Sequence, residues 1–237
     1  NGGTINKQLV GTTQLLGNLT NLSSGVINIS AGNFYFSAYS FIFDIGGIIN
    51  VSSGSTLQLS SSYSVYNISG IIQGAGNFVS DSKVNFLSGS TYNISGNTTA
   101  GGTLTFNAGM NLINIGTVIS SGGGTLNLQP GLVVSSYNPA FVFQGGTVNF
   151  NTGKKFVLTL GTISGTIAGS DTLDISGTIN FSGAFEGIGI INFLEGSTFS
   201  FNFGGINNSK TINNLGTFNW NSYQISMKGT INNYNVL

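Results

Sequence analysis

Residues 176–183 read SGTINFSG, and the pattern inside that octet decides the fold. After the glycine come Thr178, Ile179, Asn180 and Phe181, so polar and apolar side chains alternate strictly. Successive side chains of an extended strand point to opposite faces. Ile179 and Phe181 are therefore expected to face a core, and Thr178, Asn180 and Ser182 to face water. The glycine ahead of the threonine suits a tight corner between strands.

The same phrase recurs along the chain. It appears as GSTLQL at 54–59, GSTYNI at 89–94, GGTLTF at 101–106, GGTLNL at 123–128 and GGTVNF at 145–150. It returns as GSTFSF at 196–201 and GTFNW at 216–220, with GGTIN at 2–6 and GTIN at 229–232. Looser relatives are GNFYF at 32–36, GNFV at 76–79 and GTI at 161–163 and 165–167. Thr103, Thr125 and Thr147 lie 22 apart, and Thr178, Thr198 and Thr217 follow at 20 and 19. A period near 20 built from short alternating segments is the mark of a solenoid.

The alternation places Leu104 and Phe106, Leu126 and Leu128, Val148 and Phe150, Phe199 and Phe201, and Phe218 and Trp220 inside. One turn of that size cannot bury its apolar face alone. Stacked turns can, with backbone groups pairing to the turns above and below. Like residues then form inner apolar columns and outer Thr and Asn ladders. The expectation is an all-β chain, a single parallel β-helix over 1–237. About eleven coils would make a rod roughly 50 Å long. Helix formers are sparse beside Gly and β-branched residues. Proline occurs only at Pro130 and Pro139, so it leaves most coils free to pair.

The GGTLTF-like repeats resemble those of the parallel β-helix passengers of bacterial autotransporter adhesins. They are also similar to Asn-rich repeat proteins of eukaryotic cell surfaces. That resemblance covers most of the chain. It implies a right-handed parallel β-helix with an extracellular structural or adhesive role, and it transfers no functional residue.

Composition narrows the partners. The 237 residues hold six Lys, no Arg and six acidic residues, for zero net charge. No basic surface exists to neutralise phosphates or anionic lipid, so nucleic acid and membrane insertion are not expected. Apolar residues make up 40% of the chain, 18 of them Phe, enough for a core. Water solubility then falls to 31 Asn, 31 Ser and 23 Thr. Cys and His are absent, which excludes disulfides and Cys or His metal sites.

An end coil of a solenoid is an open strand edge. Because residues 2–6 already read GGTIN and 229–232 still read GTIN, no cap is visible. Three readings stay open: a segment of a longer solenoid, rods stacking end to end with each covering the next, or an unrecognised cap. A head-to-tail contact that does not close on itself yields a filament.

N-x-Ser/Thr sequons begin at Asn18, Asn21, Asn28, Asn50, Asn67, Asn93, Asn97, Asn180 and Asn207. Their number is close to what chance gives in a chain this rich in Asn, Ser and Thr. Seven of the nine nonetheless fall before residue 100. On a eukaryotic secretory route they are candidate N-glycosylation sites, with glycans as possible partners. At Asn93 and Asn180 the acceptor and its hydroxyl share an outer face.

Catalytic chemistry finds little to use, and neither an enzyme nor a cofactor is expected. Without His, Cys or Arg, nucleophilic triads and most general-base schemes are excluded. A polysaccharide lyase or hydrolase needs convergent carboxylates. The close pair Asp171 and Asp174 should point to opposite faces, with Lys154 or Lys155 near enough to pair with one of them. Asp44 should cap a turn or face out, and Glu186 and Glu195 should be loop or edge charges. Outward Thr rows could bind ice, but Thr103-Leu104-Thr105 is the only such pair in the strand motifs. Tyr35, Tyr39, Tyr63 and Tyr66 cluster early and suit either an adhesive surface or the core. The expected function is an extracellular rod that builds a glycosylated fibre, coat or appendage. An adhesin or carbohydrate-binding stalk is the alternative.

Overall fold

The computed structural model describes residues 1–17, 19–37, 42–61, 63–134, 140–159, 161–206, 209–221 and 226–234. These residues form a parallel β-solenoid of about ten turns with a period near 21 residues, close to the eleven and twenty expected. Every Gly-Thr segment named above lies in a strand.

From the second turn, each early turn carries three strands, one per side; the first has two, with an isolated bridge from Asn21 to Ile45 on its third side. The first side stacks Thr4–Lys7, Val26–Ile29, Ile48–Val51, Ile71–Gly74, Thr91–Ile94, Asn111–Asn114 and Val133–Val134. The second begins with Thr12–Leu16, Asn33–Ser37 and Thr56–Ser60, and the third with Ile42–Ile45, Val65–Ile68 and Lys83–Phe86. All pairings are parallel and largely in register, so Thr103 lies on Thr125 and Thr125 on Thr147. Phe106, Leu128 and Phe150 make the neighbouring inner column.

From Ala140 onward the second and third sides fuse into long strands: Ala140–Phe150, Thr162–Gly169, Thr178–Phe185 and Thr198–Ile206. They pass the corner through register shifts at Gln144/Thr147 and Phe181/Ser182. Such bulges let one strand bend without breaking its ladder. The first side resumes as a five-stranded sheet from Lys155–Thr159 to Thr230–Asn233. The break between its two sheets falls between Val134 and Lys155, after Pro130, which has no N–H to give the turn beneath.

The interior is one apolar column along the axis. Leu104, Phe106, Leu126, Val148, Phe150, Ile179, Phe181, Phe199 and Phe201 are fully buried, as the alternation requires. Phenylalanines pack between turns, with Phe181 and Phe201 centroids 5.2 Å apart, and across a turn, with Phe193 and Phe199 at 4.2 Å. The buried Tyr66 hydroxyl donates to the Phe36 carbonyl at 3.1 Å. At one corner glycines stack directly: a Cβ on Gly116 would lie 1.5 Å from the Gly96 oxygen.

Candidate functional site: amide ladders and end faces

The outer surface carries rows of amides that bond from turn to turn. On the first side Asn28 donates to Asn6 Oδ1 at 2.8 Å, Asn50 to Asn28 at 2.8 Å and Gln73 to Asn50 at 2.9 Å. Farther along the same side Asn192 donates to Asp174 at 2.7 Å, Asn213 to Asn192 at 2.9 Å and Asn232 to Asn213 at 2.9 Å. The third side holds Asn85 on Asn67, Asn127 on Thr105 and Asn149 on Asn127. In each of these pairs the later turn supplies the donor, which gives these rows a direction, whereas Gln58 donates to Asp81 Oδ2 at 2.7 Å and Asn214 to Asn233 Oδ1 at 2.8 Å from the earlier turn.

Charged groups are few and separately placed. Asp171 is buried at a turn, where it accepts from Thr152 N at 2.7 Å, Thr152 Oγ1 at 2.7 Å and Gly153 N at 2.8 Å. Asp174 lies on the outer side with Lys155 Nζ 2.6 Å away, the pairing expected for one of the two acids. Lys210 is fully buried and donates to the Gly169 carbonyl at 2.9 Å. Burial pulls its pKa down to about 8, against an opposing pull from Asp171. Asp44 faces out, Glu195 sits exposed in a turn, and Glu186 is half-buried just past a strand end.

The sequon asparagines divide by environment. Asn180 and Asn97 are exposed, and Asn180 faces out as its strand pattern requires. Asn28, Asn50 and Asn67 are half-buried and engaged in ladders, while Asn93 is half-buried on its strand. Asn21 differs from the others: it is fully buried, accepts from Asn1 Nδ2 at 3.0 Å and donates to the Gly25 carbonyl at 3.4 Å. Asn18 and Asn207 lie outside the described residues. Of the tyrosines, Tyr66 is core, Tyr35 half-buried and Tyr63 77% exposed, and Tyr39 lies outside the described residues.

The two end faces show the apolar column in section. At one end Ile5 and Leu15 are half-buried against the core, and Ile5, Lys7, Leu9, Thr13 and Phe34 line a groove. At the other end a groove is lined by Asn214, Phe218, Trp220, Met227, Ile231 and Asn233. Trp220 was expected inside. It stacks inward on Phe201, with centroids 6.3 Å apart, and is 51% exposed. No protein-family model, curated protein or solved structure matches this chain.

Proposed function

We propose that this chain is a structural protein: a stacked β-solenoid rod that builds an extracellular fibre, coat or surface appendage by end-to-end association. The observation that carries this reading is the stack itself: parallel strands pair turn upon turn, and Thr4–Lys7 and Thr230–Asn233 each have one pairing among the described residues, beside half-buried Ile5 and Ile231, a face that a further turn would cover. Burying such a face gains free energy roughly in proportion to its apolar area. The directional amide ladders give that stacking a polarity. Exposed sequons at Asn97 and Asn180 can carry glycans on the flanks without touching the ends.

A stalk for an adhesive surface uses the same rod and is the second reading, favoured by the exposed ring of Tyr63. The outer rows are mostly amides bonded to one another rather than uniform threonine, which weighs against an ice-binding face. Sedimentation velocity and negative-stain microscopy of the 237-residue chain across a concentration series test the main reading. Fibres with an axial repeat of roughly 50 Å are expected. A monomer at every concentration overturns it.

A further inference from the structure

We infer that the corner where the second and third sides meet binds a neutral oligosaccharide through Tyr35, Gln58, Tyr63 and Asp81. This rests on the adhesive-stalk reading above and gives it a site and a ligand class.

Three consecutive turns bring these residues together. Tyr35 and Gln58 are register partners on the outer face of the second side, and Gln14 precedes Tyr35 in the same row. Gln58 Nε2 donates to Asp81 Oδ2 at 2.7 Å in the turn that follows. Tyr63 comes just after strand Thr56–Ser60. Its turn is tied to that of Asp81, because Ser82 Oγ donates to the Ser61 carbonyl at 2.8 Å. The buried Tyr66 hydroxyl lies inside the same corner, where it donates to the Phe36 and Ser60 carbonyls at 3.1 and 3.4 Å. Burial first and Tyr35 second raise the Tyr66 pKa, so the Tyr35 phenol reaches toward this corner as well.

Each group matches a part of a sugar. A hexose offers an apolar C–H face and a rim of hydroxyls. Tyr63 is 77% exposed and presents a rigid ring with a polar tip to such a face. Its turn is held in advance, since Ser61 Oγ accepts from the backbone N–H of Tyr63 at 3.2 Å and of Ser64 at 3.0 Å. A platform ordered before the ligand arrives lowers the entropy cost of binding. Asp81 is exposed, and among the described residues no lysine lies within 4 Å of its carboxylate. A carboxylate accepts hydroxyl protons in short, strong bonds, and the Gln58 amide orients this one. Gly101 makes room for it, because a Cβ there would come 2.5 Å from Asp81 Oδ1. Successive turns stand about 4.8 Å apart, close to the length of one hexose in an extended chain, so neighbouring turns can meet neighbouring sugars.

Charge narrows the class. The chain is neutral overall, and at this corner Asp81 is offset by exposed Lys83 two residues on. A polyanion such as a sulfated or uronic-acid glycan needs clustered cations, which this corner lacks. The amide rows of the first side, by contrast, spend their groups on one another.

Affinity electrophoresis of the 237-residue chain tests the site, in native gels containing hydroxyethylcellulose, xyloglucan or mannan, with alginate and heparin as anionic probes. At least one neutral polysaccharide is expected to slow the chain, and neither anionic one. Tyr63→Ala and Asp81→Asn, both at exposed positions and checked for folding by circular dichroism, should each weaken that binding by about tenfold. Tyr63→Phe, which keeps the ring, should retain it. Ile188→Ala, at an exposed position on a distant turn, should leave it unchanged. Binding to a neutral polysaccharide that neither Tyr63→Ala nor Asp81→Asn weakens overturns this site and preserves the adhesive reading. Retention by alginate or heparin alone overturns the neutral assignment while keeping an adhesive surface. No retention by any of these probes overturns the site and the adhesive reading together.

Discussion

Lys210 Nζ donates to the carbonyl of Gly169 at 2.9 Å, joining residues 41 apart in the chain through the interior of the rod. The turn between them passes at Gly189, where an added Cβ would lie 2.3 Å from the Asp171 oxygen. The contact thus spans two steps of stacking in a region otherwise held by backbone ladders and apolar columns.

That burial makes stability depend on pH. The folded-state pKa of Lys210 is lowered from 10.5 to about 8, so folding penalises the charged form. Between those values the unfolded chain binds more protons, and stability rises with pH. The penalty is fully present below about pH 8 and fades toward pH 10.5. Thermal melts from pH 7 to 10 are expected to move upward, by the equivalent of about 3 kcal/mol at most. Lys210→Met should flatten that slope. A slope unchanged in the variant would assign it elsewhere.

Tyr66 acts with the opposite sign at higher pH. Burial first, and Tyr35 second, raise its pKa from 10.0 to about 12. Above pH 10 the unfolded phenol loses its proton while the folded one keeps it, so stability falls between pH 10 and 12. The rise due to Lys210 and the fall due to Tyr66 thus meet near pH 10. Tyr66→Phe should remove the alkaline fall and cost about 1 kcal/mol at neutral pH, since the Phe36 carbonyl loses its donor. Melts on either side of pH 10 separate the two effects.

Much of this architecture was legible in the sequence. Where the Gly-Thr phrase is complete, as at Thr125–Leu128, alternation alone placed Leu126 and Leu128 inside and Asn127 outside. Strands without the phrase, such as Val65–Ile68 and Asn111–Asn114, were not marked, because each turn has three sides and the repeat labels only some of them. Burial of Lys210 and Asn21 was not legible either. Their surroundings come from residues about twenty to forty positions away, Gly169 for one and Asn1 and Asp44 for the other. Local pattern reports which face a side chain takes on its own strand. It says nothing about what the neighbouring turn sets above it.

The glycine stacks can be tested by contrast. Gly116 has φ +61°, and a Cβ there meets the Gly96 oxygen at 1.5 Å. Gly122 has a similar φ of +57° but nothing within 4 Å. Both Ala substitutions incur the left-handed backbone cost of about 1 kcal/mol. Gly116→Ala must also separate two turns, and is expected to cost 4 kcal/mol or so, in the range of severe single substitutions. Urea midpoints of the two variants measure the difference.

The ladders offer the sharpest local test, because Asn28 and Asn180 have the same residue type and the same outward position in their strands. Asn28 donates to Asn6 and accepts from Asn50, each at 2.8 Å. Asn28→Asp replaces the donating N–H group with a carboxylate oxygen facing the Asn6 oxygen. The lost bond and the new repulsion should cost about 1–2 kcal/mol at neutral pH. Protonating the new carboxyl restores a donor, so the loss should shrink as pH falls through the carboxylate range. Asn180 is exposed, and Asn180→Asp should stay within about 0.5 kcal/mol of the parent. Urea unfolding of both variants at pH 7 and pH 4 checks the comparison. Equal effects at the two sites would mean that the amide rows contribute no more to holding the turns together than any exposed asparagine does.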